Sequence, residues 1–205
     1  LAIIPAGSAN GLSVDLNLPT NLEQCIEIAF ADKFMHIDMV SINNKKSLHL
    51  SDLGLNAQLI KNYENGSTRG MLGYAIHAVS TLANLEDPFC VEIEVNGKVF
   101  KSEARMVVIA NSQKYGTGVT INPNGLINDG QFEIIVLKNL DLIVLGKIIT
   151  GNMPIETGDV EIFSATEAVI KASSKICFQI DGEFVGQESH LDVKILPNKM
   201  KVAIP

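Results

Sequence analysis

The segment CVEIEVNGKVFKSEA narrows the possible folds more than any other part of the chain. Apolar and polar residues alternate on both sides of Asn96-Gly97. An Asn-Gly link between alternating runs is the strongest short hairpin signal, because both residues tolerate the positive φ that a twisted hairpin demands. The same texture recurs where MHIDMVSI and SLHLSDL flank Asn43-Asn44, and ARMVVIAN, QFEIIVLK, EAVIKASS, KICFQID, HLDVKIL and MKVAI each read as strands. Short turns rather than helices join most of them, which favours an antiparallel sandwich over a doubly wound parallel sheet. Sixteen glycines and 5% aromatic residues suit that architecture better than a helical bundle.

The N-terminal segment reads differently. The apolar run IIPAGSANGLSVDL suggests a strand, a Gly-rich turn and a short helix. TNLEQCIEIAFAD then opens with a capping box, Thr20 and Glu23, and spaces Leu22, Ile26, Ala29 and Phe30 along one face. This is the texture of an α/β nucleotide domain. A composition shift near Lys33 divides residues 1–33 from a β-rich 34–205. Helical spacing returns in TRGMLGYAIHAVSTLANLED and, with Asp141 as N-cap, in DLIVLGKIIT.

Several function classes are excluded or narrowed. A net charge of −7 argues against a nucleic-acid partner and confines any contact with an anionic membrane to a local patch. The longest apolar stretch, LDLIVLGKII, is too short to cross a bilayer and contains Lys147. Cys25, Cys90 and Cys177 each lie inside an apolar run, without metal-ligand spacing, and read as buried reduced thiols of a cytosolic protein. His36, His49, His77 and His190 likewise show no ligand spacing and read as structural or surface residues.

Three stretches could carry chemistry. In PAGSAN, Gly7 would let the backbone approach a phosphate, Ser8 and the following amides would face an anion, and Asn10 could hold the loop or donate to a phosphate oxygen; an ordinary strand-to-helix turn explains the same residues. In QIDGEFVG, Asp181 ends a strand on the face opposite Ile176, Phe178 and Ile180, with Glu183 two residues on. Two carboxylates beside a glycine turn suit proton abstraction or Mg²⁺ coordination, and a plain Asp-Gly hairpin accounts for the tripeptide equally well. In NPNGLINDGQFEIIV, Asp129-Gly130 is either a turn or part of an oxygen-rich cation loop. Asp38 interrupts FMHIDMVSI, either half-buried with a purpose or at a sheet margin, and YGTG at 115–118 reads as a loop.

The order of these stretches, closing on VKILPNKMKVAIP, resembles one family from about Ile4 to Pro205: the diacylglycerol kinase-like lipid kinases, including sphingosine and ceramide kinases and bacterial homologues. The resemblance implies a two-domain kinase with ATP and Mg²⁺ as co-substrates and a lipid hydroxyl as acceptor, cytoplasmic and peripheral to the membrane. Residues 1–33 would be the tail of the ATP-binding α/β domain, and 34–205 the β-rich C-terminal domain. Gly7, Ser8 and Asn10 would fall on a phosphate-binding element, Asp181 on the general base with Glu183 beside it, Asp38 on a water-mediated Mg²⁺ contact, and Asp129 on a structural metal loop. Two departures stand out. The family's Gly-Gly-Asp-Gly-Thr stretch is absent, which leads us to expect a fragment that folds but is inactive without the missing N-terminal nucleotide domain. Gly11 stands where bacterial members carry Asp, which resembles the sphingosine kinase side. A non-catalytic lipid-binding or dimerisation module and an NAD kinase-like enzyme are the alternatives, and unpaired strand edges would allow a homodimer.

Overall fold

The computed structural model describes residues 1–7, 10–65, 87–114, 120–139 and 158–205. In chain order its elements are α1 (Gly11–Asp15), α2 (Leu22–Phe30), β1 (Phe34–Ile42), β2 (Lys45–Ser47), β3 (Leu50–Gly54), α3 (Leu55–Asn65), β4 (Phe89–Val95), β5 (Lys98–Ala104), β6 (Met106–Ala110), β7 (Phe132–Leu137), β8 (Val160–Ala165), β9 (Glu167–Ile180) and β10 (Glu183–Ala203). The sheet runs β2-β1-β10-β9-β3-β6-β7-β8, with the β4–β5 hairpin attached to β9. Every pairing is antiparallel. The chain is thus mainly β with a few helices, an antiparallel β-sandwich-like body.

The sandwich forms because β9 serves two partners along one edge. Its end pairs with β3 (Leu53 with Phe178, Ser51 with Ile180), and its beginning pairs with β4 (Val95 with Ala168, Val91 with Ala172). The sheet therefore divides around a shared core that includes Val40, Leu53, Ile93, Ile109, Phe132, Phe178 and Leu191. Each fully buried aromatic contributes about 2–3 kcal/mol by leaving water. Every residue of β6 and β7 is buried. Val107, Ile109, Ile134 and Val136 face the main core, while Met106, Val108, Ile135 and Leu137 face a second cluster. That is why these strands read as continuous apolar runs. A third cluster, Leu16, Ile37 and Val202 with Ile3, Leu12 and Met200 packed against it, fastens the N-terminal segment to β1 and β10.

Three two-residue turns have positive φ at both central positions: Asn43 (47°) and Asn44 (66°), Asn96 (52°) and Gly97 (71°), and Asp181 (50°) and Gly182 (91°). This is the type I′ geometry that matches strand twist.

The structure also corrects several expectations. EAVIKASS and KICFQID form one strand, β9, and HLDVKIL and MKVAI belong to one strand, β10, because no residue between either pair enforces a turn. Pro197, which has no N–H to donate, is tolerated where β10 slips register against β1 between Ile37 and Met39. The opening apolar run is not a sheet strand; only Leu1 bonds to β10, at Lys201 and Ala203. The α2 cap is Asn21, accepting from the Gln24 amide at 3.1 Å, rather than Thr20, in line with the stronger capping preference of Asn. On α2 it is Cys25 that is buried, whereas Leu22, Ile26, Ala29 and Phe30 are exposed. Cys90 is exposed too, because β4 turns Phe89, Val91, Ile93 and Val95 inward. Helix α3 and strand β8 were not anticipated. The helices expected over 68–87 and 141–150 lie outside the described residues, apart from Asp87, which is described and not helical.

Gly54, at the step from β3 into α3, has φ +106°, and a Cβ there would stand 2.4 Å from the Arg105 carbonyl oxygen. At Gly97, also at positive φ, nothing lies within 4 Å of such a Cβ. We therefore expect Gly54→Ala to cost on the order of 3 kcal/mol and Gly97→Ala about 1 kcal/mol, as measured by urea unfolding.

Candidate functional site

Gly7 and Asn10 close a small ring. The Asn10 amide oxygen accepts from the Gly7 N–H at 2.8 Å, and its Nδ2 donates to the Gly7 carbonyl at 2.8 Å. Asn10, rather than Gly7, takes the left-handed conformation, with φ 52°. Gly7 is instead needed for closeness, since a Cβ on it would meet Asn10 Oδ1 at 3.1 Å. Asn10 thus holds the loop shape at the start of the one-turn helix α1. Ser8 and the YGTG stretch at 115–118 lie outside the described residues.

Asp181 sits in the turn between β9 and β10, and its carboxylate collects three donors from the link between β2 and β3. Ser47 Oγ donates to Oδ1 at 2.7 Å, the His49 amide to Oδ1 at 3.0 Å, and the Leu48 amide to Oδ2 at 2.8 Å. A carboxylate offers about four lone-pair sites. The free capacity therefore lies on Oδ2. Beneath the turn, buried Gln179 accepts from the Gly182 amide at 2.7 Å and donates to Asp52 at 2.6 Å, so the side-chain alternation expected along β9 holds. Glu183 is exposed at the start of β10.

Asp38 is fully buried, neither half-exposed nor at a margin. It stands opposite the bulge in β10, where its oxygens accept the Gly130 amide at 2.7 Å and the Asn198 amide at 2.6 Å. An unpaired buried carboxylate would cost several kcal/mol, and each such charge-assisted bond returns about 1.5–3 kcal/mol. Asp129 is exposed, its carboxylate accepting from the Gln131 amide at 3.0 Å in the turn that brings Gly130 to Asp38.

Asp15 and Asn111, which the sequence did not single out, and His49, read there as structural or surface, join these pieces. His49 Nε2 lies 3.1 Å from Asp15 Oδ2, and the same oxygen accepts the Lys114 amide at 3.1 Å. Asn111, 1% exposed, donates to the Asp38 carbonyl at 3.0 Å and the Leu48 carbonyl at 2.9 Å. A continuous path of bonds and contacts thereby runs from α1 through His49 to Asp181, and from Leu48 through Asn111 to Asp38 and the Asp129 turn. Only the tertiary structure could reveal it, since Asp15, His49 and Asn111 sit in no motif. Burial works against the charge on Asp15, but bonds from His49, the Lys114 amide and Ser112 outweigh it and hold its pKa below the ordinary carboxylate value. Glu133 goes the other way. Burial raises its pKa, and the charge of Asp129 adds to this, only partly offset by hydrogen bonds from Asn122 and Ser164.

Among the described residues no three His, Cys, Asp or Glu side chains are grouped to hold a metal ion. Asp38, with both oxygens turned to amides and no exposure, presents nothing to an ion approaching from solvent. The donor set described does not fit a Mg²⁺ ion held by protein side chains, and no reaction step is assigned to one.

Two family models match the chain: the YegS C-terminal NAD kinase beta sandwich-like domain over residues 52–204, and the diacylglycerol kinase catalytic domain over residues 1–42. "Probable lipid kinase YegS-like" of Citrobacter koseri is 26% identical across the whole chain, which spans 69% of that protein's length. The crystal structure of a diacylglycerol kinase from Bacillus anthracis matches all of the chain and 66% of its own, with a TM-score of 0.75 at 19% identity. An NAD kinase from Archaeoglobus fulgidus, solved with ATP, matches 91% of the chain and 61% of its own, with a TM-score of 0.50 at 11% identity. At these identities the two structures establish a shared fold.

The lowered pKa of Asp15 makes its charge a stabilising element above the ordinary carboxylate pKa of 3.8, and this contribution is lost as pH falls through the lower folded value. Asp15→Asn should reduce stability at neutral pH and flatten the acid limb below about pH 4, as followed by urea midpoints across pH. An acid limb as steep as that of the unmodified chain would rule out this role for Asp15.

Proposed function

Since the chain belongs to the diacylglycerol kinase-like lipid kinases, with the YegS C-terminal domain over most of its length, we propose that it is the acceptor-side portion of an ATP-dependent lipid kinase whose general base is Asp181. The observation that carries this reading is the Asp181 carboxylate, pinned by three donors at an exposed turn with spare capacity on Oδ2. A lipid alcohol is a poor nucleophile. As its oxygen forms a bond to the γ-phosphorus of ATP and the bond to ADP breaks, its proton passes to Asp181 Oδ2. Glu183 stands beside it as a second acid. The loop closed by Gly7 and Asn10, with Ser8 between them in the sequence, is the element we assign to the nucleotide phosphates. The acceptor is a diacylglycerol or sphingoid-type lipid presented at the cytoplasmic membrane surface. Among the described residues no helix is long and apolar enough to cross a membrane.

The partner is a nucleotide-domain segment carrying the Gly-Gly-Asp-Gly-Thr element that these 205 residues lack. Its docking face is the apolar stripe of α2. Leu22, Ile26 and Phe30 are 55%, 43% and 88% exposed at helical spacing, a pattern that costs solubility unless something covers it.

Two experiments test this reading. The 205-residue chain alone should transfer no phosphate from labelled ATP to vesicles containing diacylglycerol or sphingosine, whereas a longer form carrying the nucleotide element should. In that longer form Asp181→Asn should lower kcat by about 10²–10⁴ with nucleotide affinity little changed. Unchanged turnover would remove Asp181 as base, and transfer to NAD but not lipid would change the acceptor class. Separately, Ile26→Glu with Phe30→Glu should abolish association with the nucleotide segment in gel filtration while leaving the chain's own unfolding free energy in urea within about 0.5 kcal/mol. Association that survives both changes would show that the segment docks elsewhere.

A further inference from the structure

We propose that His49 is a positioning residue which fixes the loop closed by Gly7 and Asn10 relative to the turn that carries Asp181. The proposal rests on the reading of Asp181 as the base. Gly11 and Asp15 are four residues apart on α1 and therefore share one face. The His49 ring lies on that face. A Cβ at Gly11 would stand 2.2 Å from His49 Cε1 and 2.7 Å from Nδ1, so the ring occupies the space of any side chain at position 11. Its Nε2 is held by Asp15 at 3.1 Å, with the two side chains only 10% and 9% exposed.

The main chain of the same residue faces the other way. The His49 amide donates to Asp181 Oδ1 at 3.0 Å, and its carbonyl accepts the Asn111 amide at 2.9 Å. One residue thus grips α1 with its side chain and the Asp181 carboxylate with its backbone. Any displacement of α1 is passed to the donors that orient Asp181, and Oδ2, the oxygen left with capacity, turns with them.

Two measurements on the 205-residue chain test this, and neither requires phosphoryl transfer. In a double-mutant cycle, Gly11→Ala should lower the urea midpoint markedly in the native background and have a much smaller effect beside His49→Ala, because the ring it strikes is gone. In ¹³C spectra, His49→Ala should shift the Asp181 carboxylate resonance and speed exchange of the His49 amide at least tenfold. His49→Gln, which retains an N–H for Asp15, should restore both in part. A purely packing role would lower stability without moving the Asp181 signal. If His49→Ala does not fold, Asp15→Asn serves instead, and the Asp181 resonance should shift in the same direction. An Asp181 resonance unmoved in the folded variant, or an equal cost of Gly11→Ala in both backgrounds, overturns the proposal. Coupling that persists in a chain whose longer form phosphorylates no lipid would leave the clasp standing and remove only the kinase reading.

Discussion

The antiparallel pairing of β9 with β10 is the constraint on which the rest of the structure depends. The two strands are the longest in the sheet and pair from the Asp181-Gly182 turn to Glu167 and Lys194. Each then recruits its own partners, β3 and β4 for β9 and β1 for β10. Because the type I′ turn fixes which residues face each other, it fixes which side chains enter the core and where the carboxylate at the tip must project.

Around that frame, polar side chains do work that the strand ladder leaves undone. The bulge opposite Asp38 frees the Asn198 amide, and a buried carboxylate satisfies it while tying in the Gly130 turn. Asp181 does the same for the link at Ser47, Leu48 and His49. Both acids read as candidate chemical groups, yet each has a structural function in view. For Asp181 the two roles are compatible, since the donors that pin it leave one oxygen with capacity to accept a proton. The absence of a side chain at Gly11 has a local cause in the same region, because the His49 ring fills the volume that an Asp would need.

Much of the β architecture was legible in the sequence because it was locally encoded. Asn96-Gly97, Asn43-Asn44 and Asp181-Gly182 marked their turns, and unbroken apolar runs marked β6 and β7 as strands buried on both faces. The misreadings have equally local reasons. EAVIKASS and KICFQID read as two strands, but they form one, because β10 supplies partners on both sides of the register shift between Lys171 and Ile176. The apolar stripe of α2 was recognised by its spacing, and spacing cannot say whether such a stripe meets protein or water. Within this chain it is left exposed.

By itself, the sequence determined strands, turns and the order of chemistry-bearing stretches, because backbone preferences and alternation act over a few neighbouring residues. Which of those stretches touch was decided only by the tertiary structure. Asp15 meets His49 across 34 positions, and Ser47 meets Asp181 across 134. Contacts of that separation depend on strand pairing and on the shape of a shared core, and neither leaves a short-range signature. The PAGSAN loop and the Asp181 turn could be named from the sequence, but the contacts of His49 with Gly11, Asp15 and Asp181 could not.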